Sequence, residues 1–363
     1  MEILKHRWKR ILFASISHLA TDRGMGPLPL TEADIVVEIP PRPEMGDLAF
    51  PMFPFAKVFR MPPQKIAAEV ADALSRDPEA SKLGSFTAEG PYCNIKLMLG
   101  ALAEETVMTI LKEGNTYGQT DLLSGKKVMV EFSCPNTNKP LHLGHLRNNA
   151  IGASVARICA ANGADVKKVN LINDRGIHIC KSMLAYREFG KGSTPEKEGI
   201  KSDHFVGDYY VKYDKWLKTN PEVEEQAREL LRAWENDDPT VRALWTLMNK
   251  WAIDGINRTY EKTGISFDKF YFESQTYKRG REEVLKGLAQ GVFYREEDGS
   301  VWVDLAEVNL DKKVLLRKDG TSLYLTQDIG TAIARHEDWP FERLIYVVAS
   351  EQQYHFKVLF YVL

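Results

Sequence analysis

The chain has 363 residues, 44% of them hydrophobic and 27% charged, with a formal net charge of -2. That length exceeds most single cores and the composition is that of a globular protein, so two domains are expected. The balanced charge excludes a global electrostatic pull toward nucleic acid, although a local basic face would suffice to hold one.

No run of about 18 apolar residues and no secretory leader stands in the sequence, so a cytoplasmic protein with no membrane association is expected. The four cysteines, Cys93, Cys134, Cys159 and Cys180, are scattered without a CxxC pair. That spacing argues against structural zinc and against a disulfide framework.

Residues 1–118 read as a small α+β domain. Ile3, Leu4, Trp8, Ile11 and Leu12, interleaved with Lys5, Arg7, Lys9 and Arg10, form a basic amphipathic helix. Its cations suit either a solvated face or an RNA contact. Pro62 and Pro63 open a helix over Gln64–Leu74, with Ile66, Val70 and Leu74 on one face. Phe86–Glu89 and Asn94–Leu97 read as strands around the Gly90–Pro91 turn. Asn115–Lys127, rich in Gly, Asn and Asp, reads as a linker.

Residues 124–363 read as an α/β domain with a parallel sheet. Val128–Phe132 (VMVEF) is a buried strand that breaks into Pro135–His145 (PNTNKPLHLGH) and then a helix. Ile151, Val155 and Ile158 mark the expected buried stripe of that helix, which ends near Gly163. Val166–Ile172 supplies the next strand, and Asp174–Gly176 turns the chain into a helix through Met183. This is a βαβ unit, expected to cross over right-handed.

Gly190–Asp203 is a polar loop and Asp208–Lys262 is long, charged and Trp-rich. Together they suggest a helical insertion over residues 190–300, with Trp234, Trp245 and Trp251 as core anchors. The sheet pattern resumes at Leu323–Leu325 and Leu344–Ala349. Glu351–Leu363 begins a helix and ends in the uncharged run Val358–Leu363, so the chain is expected to be part of a longer one.

A strand that breaks at a Pro/Asn/Gly-rich turn and enters a helix presents phosphates in open α/β sheets. Here the turn carries His142 and His145 with Gly144 between them. Three readings compete: an incidental pair of histidines, a metal site, or two donors to a phosphate. The metal reading lacks the glutamate of HExxH. In the third reading the imidazoles stabilise charge that builds during displacement at phosphorus, about 2.7–4 kcal/mol per preorganised donor. Glu131 and Asp328 both fall near the carboxyl ends of expected strands, as solvated acids or as the walls of a cation pocket.

Glu131–Arg147 (EFSCPNTNKPLHLGHLR) resembles the first signature of class I aminoacyl-tRNA synthetases, in the form of the arginyl enzymes. Val169–Tyr186 (VNLINDRGIHICKSMLAY), Tyr324–Gly330 (YLTQDIG) and Ser350–Phe356 (SEQQYHF) resemble further segments of that family, in family order. Gly46–Phe50 (GDLAF) and Gly90–Leu97 (GPYCNIKL) resemble its amino-terminal domain.

The resemblance implies a Rossmann-like catalytic domain that condenses L-arginine with ATP, using Mg2+, and then esterifies tRNA(Arg). It implies that His142, His145 and Lys139 are catalytic, and that His142, Gly144, His145, Asn148 and His355 line the ATP. Lys139 could equally be a solvated turn lysine, and His355 a packed helix histidine. It further implies that Glu131, Asn136, Tyr324, Asp328 and Gln352 surround the arginine, with Asp328 on the guanidinium and Tyr324 packed against it. A guanidinium is a rigid fork of five donors, so such a pocket needs planar carboxylates and rejects citrulline.

The lysine-rich second signature of class I enzymes (KMSKS-like) does not occur in this sequence, and Lys139 stands where such departures place a substitute. The amino-terminal domain is expected to touch the outer corner of the tRNA, the protein to be a monomer, and this stretch of chain to activate arginine weakly. The alternatives are another HxGH nucleotidylyltransferase and a non-catalytic tRNA-binding fragment.

Overall fold

The computed structural model describes residues 2–363, which divide into two compact units, one ending at Tyr117 and the other Gly118–Leu363. In unit one, helix α1 (Glu2–Asp22) is followed by β1 (Leu48–Pro51), α2 (Phe53–Phe59), α3 (Pro63–Arg76) and α4 (Pro78–Leu83). Then come β2 (Gly84–Glu89), β3 (Tyr92–Leu97) and α5 (Leu99–Glu113). The three strands form an antiparallel sheet in the order β1-β3-β2.

Trp8, Leu12, Ile16 and Ala20 recur every four residues along α1 and are all buried. Ile66, Val70 and Leu74 of α3 meet them in one core, and Trp8 stands edge-on to Phe86 at 5.8 Å. The α+β character read from the sequence is therefore present.

Unit two is built on a four-stranded parallel sheet in the order β10-β4-β5-β6. Its strands are β4 (Lys127–Glu131), β5 (Asp165–Ile172), β6 (Lys269–Phe272) and β10 (Arg343–Tyr346). Helix α6 (Leu143–Ala161) joins β4 to β5. Helices α7 (Ile177–Phe189), α8 (Pro195–Glu198), α9 (Ser202–Thr219), α10 (Val223–Glu235) and α11 (Pro239–Thr263) join β5 to β6. Between β6 and β10 lie α12 (Glu273–Ala289), a small antiparallel sheet and α13 (Tyr324–Asp338). That small sheet is β7 (Tyr294–Arg295), β8 (Val301–Val303) and β9 (Lys313–Leu316), and α14 (Gln353–Val362) follows β10.

Alternation along β4 divides the surrounding core. Val128, Val130 and Phe132 face α6, while Met129 faces Val169, Tyr271 and the α13 side. Glu131, two residues after Met129, shares the α13 face.

Three expectations are corrected here. The buried face of α6 is Asn149, Gly152 and Ala156, whereas Ile151 and Ile158 are exposed. The helix lies so close to the sheet that a Cβ on Gly152 would meet Phe132 Cγ at 2.3 Å, so only its small residues fit beneath.

Leu323–Leu325 is not a strand. Leu323 precedes α13, and Leu325, Ile329 and Ala332 are its buried helical stripe. A short apolar run does not distinguish strand from helix by periodicity.

The helical insertion ends at Thr263, and Lys269–Phe272 returns to the parallel sheet beside β5. Trp234 and Trp251 are buried in the insertion core, and Trp245 packs beside them. No helix among the described residues is long and apolar enough to cross a membrane.

Candidate active site

Strand order decides where a ligand can sit. From β4 the chain passes through α6 to β5 on one side, while β10 lies on the other. The crevice outside the carboxyl ends of β4 and β10 is thus the switch point at which open α/β sheets bind ligands. Glu131 and Tyr346 are register partners at that edge, and Val347 N–H donates to Glu131 C=O at 2.9 Å.

The Pro135–His142 turn leaves this edge and delivers the two histidines to the start of α6. His142 is the N-cap residue: its Nδ1 accepts from Gly144 N–H at 3.1 Å, while His145 Nδ1 accepts from His142 N–H at 3.2 Å. Both rings therefore spend Nδ1 on the helix end, which puts the proton of each neutral ring on Nε2, the nitrogen facing away from it. The rings lie 4.0 Å apart.

Gly144 is needed because a Cβ there would approach His142 Cε1 to 2.9 Å and push the ring aside. Burial, the adjacent His142 and Lys139 together depress His145 to about 4, so it is a neutral donor at neutral pH. Lys139 is half-buried in the same turn. Asn148, one turn along α6, accepts from Arg147 at 3.1 Å. The turn itself is docked on the end of β5: Asn136 bridges to Asn173, Asn173 N–H donates to Pro135 C=O at 3.0 Å, and Thr137 N–H to Asn173 C=O at 3.1 Å.

The acidic side of the crevice is wired differently. Glu131 is buried and forms an ion pair with Arg335 of α13, whose guanidinium is 1% exposed. Arg335 also lies 5.0 Å from the Tyr271 ring and 6.0 Å from the Tyr346 ring. Asp328 sits on α13 rather than at a strand end, and its Oδ2 pairs with His355 Nε2 at 2.6 Å. Tyr324, at the first position of α13, is 71% exposed. Gln352, in the turn after β10, is exposed too.

Sequence reasoning missed several groups that the fold brings here. Glu273 follows β6 directly and is pushed up to about 7 by burial; Asp174 and Asp328 add to that shift and Arg175 opposes it. Asp174, after β5, is buried and accepts from Ser274 N–H at 2.8 Å and Ser274 Oγ–H at 2.6 Å. Burial raises its carboxyl above the usual range, against the pull of those hydrogen bonds. Arg175 packs 4.0 Å from the Tyr277 ring and pairs with Glu235 at 2.8 Å. The signal for Glu273 was its place after KFYF, a strand concealed in the interval read as an insertion. Among the described residues no group of three or more His, Cys, Asp or Glu side chains is placed to hold a metal ion.

A parallel sheet with paired imidazoles on one side of its switch point and acidic side chains on the other has the layout in which open α/β domains bind their ligands. Residues 106–363 match the family described as tRNA synthetases class I (R), catalytic domain, and residues 6–97 match the arginyl tRNA synthetase N terminal domain. The chain belongs to the arginyl branch of the class I tRNA synthetase family.

It is 57% identical over 365 residues to the arginine–tRNA ligase of Treponema denticola and 55% identical over 364 residues to that of Treponema pallidum. In both cases the match covers 100% of this chain and 61% of the relative. The chain therefore spans less than two thirds of their length. Among solved structures, Thermus thermophilus arginyl-tRNA synthetase matches with a TM-score of 0.58 and 28% identity, over 90% of this chain and 52% of that one. The arginyl-tRNA synthetase of Plasmodium falciparum shares the fold, with a TM-score of 0.63 at 18% identity, over 99% of this chain and 61% of that one.

Proposed function

We propose that this chain is the arginine-activating part of an arginine–tRNA ligase, which joins L-arginine to ATP as arginyl-adenylate and passes it to tRNA(Arg). The observation that carries the reading is the pairing, across one switch point, of two Nε2 donors with a group of buried carboxylates. The arginine carboxylate attacks the α-phosphorus in line, the P–O bond to pyrophosphate breaks, and no covalent enzyme intermediate is needed.

His142 and His145 donate to the phosphate oxygens as charge builds on them, and Lys139 balances the departing pyrophosphate. Gly144, Asn148 and His355 border the nucleotide. Mg2+ would be held chiefly by the phosphates of ATP, as it is wherever substrate supplies most of its ligands. Asp328, with Glu273 beside it, faces the guanidinium, and Tyr324 packs on that plane. A fork of donors engages both oxygens of a carboxylate, so arginine must share or displace the His355 contact on Oδ2. Glu131, already neutralised by Arg335, serves as a hydrogen-bond acceptor alongside Asn136 and Gln352 at the α-amino and carboxylate ends.

Calorimetric titration tests this reading. L-arginine is expected to bind, citrulline and L-lysine to bind far more weakly, and ATP–pyrophosphate exchange to depend on arginine. Exchange is measured on this chain and on one extended to the length of its relatives. Absence of arginine binding in both would overturn the assignment.

A further inference from the structure

We infer that Tyr260 and Asn170 are positioning residues that latch the histidine-bearing turn to the sheet; the inference rests on the activity proposed above and adds a part to it. Ser133 and Cys134, directly after β4, have φ of +79° and +49°. Two consecutive non-glycine residues in the left-handed region are costly, and such backbone persists only where its surroundings over-determine it.

The surroundings here are specific. Cys134 N–H donates to Asn170 Oδ1 at 3.1 Å, and Asn170 Nδ2 donates to Tyr260 Oη at 3.0 Å. Tyr260 Oη in turn lies 2.6 Å from Ser133 Oγ. The ring of contacts closes on the two strained residues themselves. Ser133, Asn170 and Tyr260 are 6%, 0% and 4% exposed, so no water competes for these groups. Both ends of the Asn170 amide are used, which fixes its orientation.

This geometry has a direction. Ser133 and Cys134 are where the chain turns from β4 toward Asn136, Lys139, His142 and His145. A change in their backbone swings every one of those side chains. Tyr260 belongs to α11, the last helix of the insertion, and its ring packs on Phe267 at 5.2 Å. The latch therefore ties the insertion to the turn through one hydroxyl.

Tyr260→Phe keeps the ring and removes only that hydroxyl. The expected result is a tenfold or larger fall in kcat for arginine-dependent exchange, with an unchanged far-ultraviolet spectrum. Adding Cys134→Gly to Tyr260→Phe should restore at least threefold of the loss, because glycine adopts positive φ without help. A purely structural tyrosine would show no such rescue.

Amide hydrogen exchange supplies a readout independent of activity: amides of residues 133, 134 and 136–138 should exchange at least tenfold faster in Tyr260→Phe, with β5 and α11 unaffected. Unchanged kcat or unchanged amide protection in Tyr260→Phe overturns the latch. A parent protein that shows no arginine-dependent exchange at all would instead sink the proposed function, while the amide measurement still decides the latch.

Discussion

The two arms of the crevice are built on opposite plans. On the β4–α6 arm, the histidines are held by their own neighbours: His142 caps the helix it begins, and His145 reaches back three residues to cap His142. On the acidic side facing α13 and α14, each key acid is answered by a partner remote in sequence, Glu131 at the end of β4 by Arg335 and Asp328 by His355. A local hydrogen-bond motif survives small movements of the rest of the fold, whereas a buried ion pair exists only when two elements are both in place. The first arm is formed by local contacts; the second depends on tertiary assembly.

The largest expected effect breaks the second arm. Arg335→Met leaves Glu131 buried without its counter-charge, and loss of one partner from a buried pair costs about 3–5 kcal/mol. Urea unfolding should show that loss, and Glu131→Gln added to Arg335→Met should recover much of it. Equal stability of the single variant and the parent would mean that the pair contributes nothing to assembly.

The first arm should respond without unfolding. His142→Ala or His145→Ala is expected to lower kcat for exchange on the order of 10²–10³-fold, the usual worth of one preorganised donor. Stability and arginine affinity should stay close to those of the parent. A loss seen mainly in arginine affinity would move the histidines to the wrong side of the crevice.

The smallest effect sharpens the contrast through pH. Glu273 is raised from 4.5 to about 7, so it is neutral below that pH and ionised above it. Asp174 and Asp328 add to the raising and Arg175 opposes it. A bound guanidinium favours the ionised form, so arginine affinity should rise about tenfold between roughly pH 6 and 8, the limit for one linked proton. Glu273→Gln should flatten the profile. His145, already neutral above about 4, should add no limb in that range.

These contrasts also explain what could be read beforehand. The HxGH turn, the strand before it and the helix after it were legible because strand, breaker and cap are contiguous in the chain. The core faces of α1 and α3 were legible for the same reason, since Trp8, Leu12, Ile66 and Val70 repeat at helical spacing. The stripe on α6 misled because branched Ile151 and Ile158 face outward where Gly152 must touch Phe132. Asp328 was assigned to a strand end because Leu323–Leu325 is too short to declare its period. Arg335 carried no local signal, since a buried charge is identified only by the partner that folding brings to it, and the one signal for Glu273, its place after KFYF, was hidden with that strand.

A structure of the chain bound to a non-hydrolysable arginyl-adenylate analogue tests the central claim most directly. The guanidinium is expected within hydrogen-bond distance of Asp328, and the phosphate-mimicking group within reach of His142 and His145 Nε2. An analogue bound with its guanidinium remote from α13, or its phosphate mimic remote from the start of α6, would contradict it.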